Sequence, residues 1–484
     1  MSNTAKLSAR DRIATLLDDN SFVEVGAFVT KRSTDFNLQQ KEVPADGVIT
    51  GYGLVNGNPV YVYSQDATAL NGTVGEMHAR KITNIYELAL KVGAPVVGLI
   101  DCAGMRLQEA TDALDGFGKI YLKKTLASGV IPQLTAIFGV CGGGSAVLSS
   151  LSDFTFMEKN NAKLFVNAPN ALAGNYTAKC DTSSADYCAK NGTVDVVAED
   201  DASVLASVRE LLTVLPANNQ DTEVYNDCND DLNRIVPSFS AEVKDAVAAL
   251  VDISDEGFFF ELKKDYAKEM VTGFIRLNGM TVGAIANRLE VTDEEGKVSE
   301  KFDGSLTTAG CEKAAKFVNF CDAFQIPILT LTNVTGYKAT VEEEQTIAKA
   351  SAKLTYAFAN ATVPKINVIV GKAYGSAYIT MNSKHIGADL VFAIEGANIG
   401  LMDSKVAAEI MYSDEISASS DAVATINEKA AEYENLQSSA MVAAKRGYVD
   451  NIIDSASVRK QVIYAFEMLF TKGESRPDKK HGTL

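Results

Sequence analysis

Apolar and polar positions follow two periods along this chain. Residues 46–66 alternate with period two around Asn56-Gly57, so Val48–Val55 and Pro59–Ser64 predict a two-stranded hairpin. Residues 5–30 mix charge with helical spacing (Ala14, Leu16, Leu17) and then predict a short extended piece at Phe22–Val25. Met77, Ile82, Ile85, Leu88 and Leu90 fall at helical spacing and predict an amphipathic helix over 75–92. Pro95–Ile100 is a continuous apolar run that ends at Asp101, the pattern of a strand buried on both faces. A helix over 108–128, a second buried strand over Pro132–Val140, a turn at Cys141–Gly144 and a helix from Ser145 complete the series. The order strand, helix, strand, helix, strand, glycine turn, helix predicts an α/β fold built from crossovers.

The same series returns in the second half. Thr50–Gly57 recurs as Thr272–Gly279, an offset of 222 residues. Ala94–Gly104 recurs as Ile326–Gly336, and Val130–Gly144 as Thr362–Ser376, both at an offset of 232. The predicted elements follow: a hairpin over 271–286, a helix over 309–324, a strand over 327–332, a helix over 341–360, a strand over 365–371 and a helix from Ser376. The ten extra residues fall in the charged stretch Thr292–Asp303, which predicts a surface loop. A period this long predicts two homologous domains, not a solenoid. The polar, Asn/Asp-rich stretch near 215–240 marks the boundary, giving domains 1–235 and 236–484.

Composition narrows the partners. The formal charge of −17 opposes nucleic-acid binding, which needs a basic face. No N-terminal segment resembles a signal peptide, and no run of about 18 apolar residues predicts a membrane helix, so a cytoplasmic protein is expected. The seven cysteines show no metal-ligand spacing and predict buried, reduced thiols; no metal is expected.

The two glycine turns carry the candidate chemistry. A strand, a glycine turn and a helix place successive backbone N–H groups where no intrahelical partner exists, and glycine removes the Cβ that would block a ligand. Such paired donors can hold a developing oxyanion. Close helix–strand packing is the alternative reason for the glycines. Neither turn has the spacing of a phosphate loop or a dinucleotide fingerprint. A Ser–His–Asp hydrolase would require His78 or His385 beside Ser145. With three histidines in the chain, an enzyme whose base belongs to a cofactor fits better.

Several motifs in order resemble the biotin-dependent carboxyltransferase family, which includes the β subunits of propionyl-CoA and related acyl-CoA carboxylases and the α subunits of methylmalonyl-CoA decarboxylase. They include Gly75-Glu-Met-His-Ala79, Arg106-Leu-Gln-Glu109, Ala127-Ser-Gly-Val-Ile-Pro132, Cys321-Asp-Ala-Phe324, Lys372-Ala-Tyr-Gly-Ser-Ala-Tyr378, Asn382-Ser-Lys-His385 and the tail Arg476–Gly482. The resemblance implies two crotonase-type (ClpP-like) domains, each a β-β-α superhelix, with two oxyanion holes facing each other across a dimer interface. It implies that Gly143 and Gly144 hold the oxygen of an acyl-CoA thioester, and that Ser376 and Ala377 hold the ureido oxygen of biotin. Ala103, Gly104, Arg106, Tyr374, Gly375 and Ile379 are the further substrate- and cofactor-binding positions it implies. The implied reaction moves a carboxyl group between a short-chain acyl-CoA and biotin through a thioester enolate, with biotin supplying the base.

The chain departs from the family at Ser376, where Gly is usual, at Ala103 for Gly, and at Thr335-Gly336-Tyr337 for Pro-Gly-Phe; Ile379 stands where propionyl-CoA carboxylases usually have Asp and resembles the decarboxylase and broader acyl-CoA forms. More departures fall on the biotin side than on the CoA side. No biotinylation sequence and no ATP-binding module appear. The implied partners are therefore a biotin carboxyl carrier protein and a biotin carboxylase or membrane decarboxylase subunit, with a homohexamer or smaller homo-oligomer as the assembly. A biotin-independent crotonase-type decarboxylase or hydrolase, and a non-catalytic scaffold, are the alternatives.

Overall fold

The computed structural model describes residues 6–32, 43–221, 226–293, 296–477 and 481–482. The chain divides into two compact units, Met1–Val224 with Lys263–Tyr266, and Tyr225–Leu262 with Ala267–Leu484. The first break lies eleven residues before the boundary expected at 235, inside the polar stretch.

The first unit holds strands β1 (Val23–Glu24), β2 (Val48–Val55), β3 (Asn58–Gln65), β4 (Val96–Cys102), β5 (Gln133–Gly142), β6 (Phe154–Glu158), β7 (Lys163–Phe165) and β8 (Val196–Ala198). They form one sheet in the order β1-β2-β3-β4-β5-β6-β8, with β7 on the far end of β5. Only β1–β2 and β2–β3 pair antiparallel; every later pair is parallel. Parallel pairing requires crossovers, and the helices Glu76–Val92 and Ala110–Ala127 supply two of them. Ile82, Ile85, Phe117 and Ile120 of these helices join Val96 and Ile137 of the strands in one apolar core. The first helix stops at Gly93, whose left-handed φ of +73° closes it without a Cβ penalty.

The second unit holds β9 (Phe259–Leu262), β10 (Met270–Leu277), β11 (Met280–Asn287), β12 (Glu290–Thr292), β13 (Val298–Lys301), β14 (Ser305–Leu306), β15 (Ile328–Val334), β16 (Gly336–Tyr337), β17 (Lys365–Tyr374), β18 (Leu390–Ile394), β19 (Asn398–Gly400) and β20 (Asn451–Ile453). Its main sheet runs β9-β10-β11-β15-β17-β18-β20, with β19 on β17. The order and directions match the first sheet strand for strand.

The likeness extends to register. Val96 pairs with Gln133, and Ile328 with Lys365, each 232 residues further on. Both pairs carry an irregularity at the same place, between Ile100 and Cys102 and between Thr332 and Val334. Both hairpin turns put Asn and Gly at positive φ, 49° and 80° at Asn56-Gly57, 53° and 79° at Asn278-Gly279. This is the twist that a two-residue connection needs.

Two expectations change. The stretch read as a loop over 292–303 contains one arm of a ribbon, since β12 and β13 pair antiparallel; residues 294–295 of it lie outside the described residues. The helix read over 341–360 is two, Val341–Glu344 and Ile347–Asn360, broken at Thr346, whose φ of −136° is not helical. Part of the tail motif, residues 478–480, also lies outside the described residues.

Candidate active site

The first glycine turn follows the last residue of β5. Gly143 adopts φ +59° and ψ −123°, a conformation that L side chains avoid, and a Cβ there would meet nothing within 4 Å. The glycine is therefore required by the backbone and not by crowding, and open space lies beside it. Its N–H is already donated to the carbonyl of Phe165 on β7 at 2.9 Å. Of the two donors expected here, Gly143 is thus spent on holding β7 in place. Gly144 opens the helix Gly144–Ser150; its N–H and that of Ser145 have no backbone acceptor among the described residues. A Cβ on Gly144 would sit 3.0 Å from the Tyr121 hydroxyl and 3.1 Å from the Phe117 ring, so this glycine serves packing as well.

The second turn follows β17. Gly375 has φ +61°, matching Gly143 at the offset of 232, and a Cβ there would meet the Leu401 carbonyl at 3.1 Å. Ser376 is exposed and Ala377 buried at the start of the helix Gly375–Thr380. The register equivalents of Ser376 and Ala377 are therefore Gly144 and Ser145. Tyr374 is buried, its phenol pushed up to about 12 by that burial, and the Lys372 ammonium lies 5.8 Å from its ring. Ile379 presents an apolar side chain, 39% exposed, one helical turn beyond Gly375.

The ends of β4 and β15 stand beside these turns. Ala103 is exposed and donates its N–H to the Asn71 carbonyl at 3.1 Å. Gly104, at φ +117°, donates to the Cys102 sulfur at 3.3 Å, and a Cβ on it would come 3.5 Å from the Gly142 carbonyl. Arg106 does not fit the binding role expected of it. Its side chain has no exposure and is bonded to Asp46 at 2.6 Å, Glu109 at 2.8 Å and the Thr73 carbonyl at 2.8 Å. Two carboxylates and a carbonyl take bonds from its two terminal nitrogens, while Nε is buried without a partner among the described residues, and the side chain holds the loop together from inside. Burial pushes the Asp46 carboxyl up despite the pull of Arg106.

Among the described residues Ser145 forms no hydrogen bond with a histidine. The Ser145 hydroxyl donates to Cys102 Sγ at 3.2 Å, and burial pushes that thiol up. His78 lies 3.2 Å from Gln65 Nε2 through Nε2 and 2.9 Å from the Asp46 carbonyl through Nδ1. Burial first, and the nearby Arg106 charge second, lower it to about 3, so it is neutral. His385 stacks against Tyr378 and Tyr448. All seven cysteines are free; five are buried, while Cys180 is exposed and Cys228 half-buried, against the expectation that all would be inside. Among the described residues no group of three metal-ligating side chains is placed to hold an ion, and no helix is long and apolar enough to cross a membrane.

Residues 2–484 match the carboxyl transferase domain. The chain belongs to the carboxyl transferase family. It is 40% identical to the propionyl-CoA carboxylase beta chain of Roseobacter denitrificans, over 99% of this chain and 94% of that one. It is 38% identical to the methylmalonyl-CoA decarboxylase subunit alpha of Propionigenium modestum, over 99% and 93%. A solved structure of transcarboxylase 12S, a hexamer assembly with methylmalonyl-coenzyme A bound, superposes with a TM-score of 0.91 at 38% identity, covering 99% of this chain and 92% of that one. The fold of this family member is accordingly the crotonase fold, present twice.

Two supports of the turns escaped the sequence reading. Asp101 and Asn333 stand 232 residues apart; a Cβ on Gly139 would come 2.0 Å from the Asp101 carboxylate, and one on Gly371 2.6 Å from the Asn333 amide oxygen. Asp101 is paired to Lys6 at 2.6 Å, and the Asn333 side chain accepts the Lys372 N–H at 3.0 Å. Applying the offset to polar residues inside apolar strands, and not to glycines alone, would have found them.

Proposed function

We propose that this family member is the carboxyltransferase subunit that moves a carboxyl group between a short-chain acyl-CoA and biotin on a separate carrier protein. Propionyl-CoA/methylmalonyl-CoA and acetyl-CoA/malonyl-CoA are the substrate pairs. The first turn takes the thioester and the second takes biotin. The observation that carries this reading is the pair of register-matched turns, each opening a helix with N–H groups that lack backbone acceptors among the described residues, in a chain similar to carboxylase and decarboxylase subunits.

The first turn suits an enolate. Its donors are backbone groups whose position is fixed before substrate arrives, so they stabilise negative charge on the thioester oxygen without reorganisation. The open space beside Gly143 admits the acyl group. The second turn offers the same donors beside apolar Ile379, which suits a neutral ring bearing one polar oxygen. Biotin, when bound, supplies the carboxyl group and the base. The side chains agree with that division: Ser145 and His78 are both engaged in internal bonds and leave the proton to the cofactor. A biotin carboxylase or a membrane decarboxylase subunit is the partner that loads or unloads the carrier. A homohexamer built from dimers, in the cytoplasm, is the assembly that goes with this reading.

The test is carboxyl exchange from methylmalonyl-CoA and malonyl-CoA to free biotin. Loss of the carboxyl group that depends on biotin is expected. Loss that proceeds equally without biotin would replace this reading by the biotin-independent one, and no loss with either thioester would favour a scaffold. Gly144→Pro deletes one thioester donor and should lower turnover by roughly 10²–10³.

A further inference from the structure

The register-equivalent carbonyls at the two turns each accept a side-chain hydroxyl, which nothing in the sequence repeat required. Tyr121, on the crossover helix Ala110–Ala127, donates its hydroxyl to the Gly144 carbonyl at 2.9 Å across 23 residues of chain. In the second unit the register-equivalent carbonyl, that of Ser376, accepts the Thr380 hydroxyl at 3.1 Å. The Tyr337 hydroxyl stands 3.3 Å from the same Thr380 oxygen, and Thr355 of the crossover helix Ile347–Asn360 stands 3.1 Å from it. A threonine bonding four residues back is common in helices. A tyrosine from a neighbouring strand feeding that same hydroxyl is not part of that pattern. Thr380 has one proton; with that proton on the Ser376 carbonyl and the Thr355 proton on the Ser351 carbonyl, Tyr337 is the hydroxyl left to donate to Thr380.

These carbonyls matter because of what shares their peptide planes. The Gly144 C=O and the Ser145 N–H belong to one rigid unit, as do the Ser376 C=O and the Ala377 N–H. Fixing the oxygen end fixes the direction in which the N–H end points. A hydrogen bond accepted at the oxygen also polarises the unit and strengthens the donor at its other end. With the Gly143 N–H spent on Phe165, the Ser145 N–H is the one available beside that of Gly144.

We propose that Tyr121 and the Tyr337–Thr380 relay are positioning residues that aim the donor peptides 144–145 and 376–377. Tyr121 serves the acyl-CoA half-reaction, and Tyr337 with Thr380 serves the biotin half. This rests on the function proposed above. The two halves fix their donor peptides by different chemistry, a direct aromatic hydroxyl in the first unit and a relay through threonine in the second. The relay depends on the Tyr337 hydroxyl, which Phe at this position would lack.

The experiment is steady-state exchange between methylmalonyl-CoA and free biotin, with Tyr121→Phe, Tyr337→Phe, Thr380→Val and Thr380→Ser. Tyr121→Phe keeps the ring, which packs edge-on against Phe117 at 6.1 Å. It should lower kcat about tenfold, part of what loss of a whole donor costs, while leaving the KM for biotin unchanged. Thr380→Val should lower kcat and raise the KM for biotin without changing that for the acyl-CoA, and Thr380→Ser should restore both. Tyr337→Phe should reproduce a weaker form of Thr380→Val. Thr125→Val is the control: its hydroxyl bonds the Tyr121 carbonyl at 2.8 Å on the exposed side of the same helix and should change nothing. An active wild type whose Tyr121→Phe variant keeps its full kcat, or loses no more than Thr125→Val, overturns the proposal alone. A wild type inactive with every thioester removes the proposed function and this proposal together.

Discussion

At the scale of single residues, buried charge decides more than exposed charge. Arg106 sits between Asp46 and Glu109 with no side-chain exposure, so Arg106→Met would strand two carboxylates in the interior. Breaking a buried pair from one side costs about 3–5 kcal/mol. Denaturant unfolding should show that loss, and the folded fraction should keep its KM for acyl-CoA; a large rise in KM would restore the binding role. His78 gives a pH signature. Its folded value near 3 lies below its ordinary value of 6.5, so the unfolded chain binds the proton first. The stabilisation is complete above about pH 6.5 and is lost as pH falls from there toward 3, by about 1.4 kcal/mol per unit. Unfolding free energies at pH 7.5 and pH 5 should therefore differ by about 2 kcal/mol through this residue. His78→Gln should flatten that difference, and an unchanged slope would place the titration elsewhere.

Among elements, the hairpins show how a local signal is reinforced by tertiary contacts. In the first unit the Asp18 carboxylate accepts the N–H groups of Asn56 and Gly57 at 3.0 and 2.9 Å, and Arg209 binds it at 2.8 Å. In the second, Asp255 accepts those of Asn278 and Gly279 at 3.0 and 2.7 Å, and Arg459 binds it at 2.7 Å. The first clamp is partly exposed at 27% and 29%; the second is buried at 0% and 6%. Asp18→Ala should cost about 1 kcal/mol, since exposed pairs are screened. Asp255→Ala should cost more, about 3 kcal/mol, because it leaves buried Arg459 with only the longer 3.5 Å pair to Asp230. Equal losses in thermal or denaturant unfolding would refute the burial argument. These clamps also mark what a sequence can disclose. Asn-Gly between alternating runs was legible because the turn itself demands those residues. The acids that hold the turns were not, since Asp18 and Asp255 lie 38 and 23 residues from Asn56 and Asn278. Strands of three residues such as β7 and β19 were illegible for a related reason: they are too short for a period, yet β7 takes the Gly143 N–H and so decides which donors the first turn has left. The burial of Arg106 was not legible, because a motif fixes a residue's identity without fixing whether its donors face a ligand or the interior.

For the whole molecule, duplication raises the question of which copies of the two turns work together. Within each unit the turns are alike in backbone, with φ of +59° at Gly143 and +61° at Gly375, and unlike in side chains, with Gly144 facing Tyr121 and Ser376 exposed. Such divergence suits two halves of one reaction better than two equal sites. If each site takes its first turn from one copy and its second from another, as in the proposed dimer, then defects in the two turns should complement. Gly144→Pro disables only the first turn and Ser376→Pro only the second. In a mixed dimer of these two variants, one site receives both defects and the other receives neither. Random pairing makes half of the dimers mixed, so refolding an equal mixture should recover about a quarter of wild-type exchange activity, although each variant alone is nearly inactive. A site assembled within a single chain gives no recovery at any mixing ratio. Mixing without unfolding should give recovery only as fast as subunits exchange, so the rate of its appearance also reports how firmly the copies hold one another.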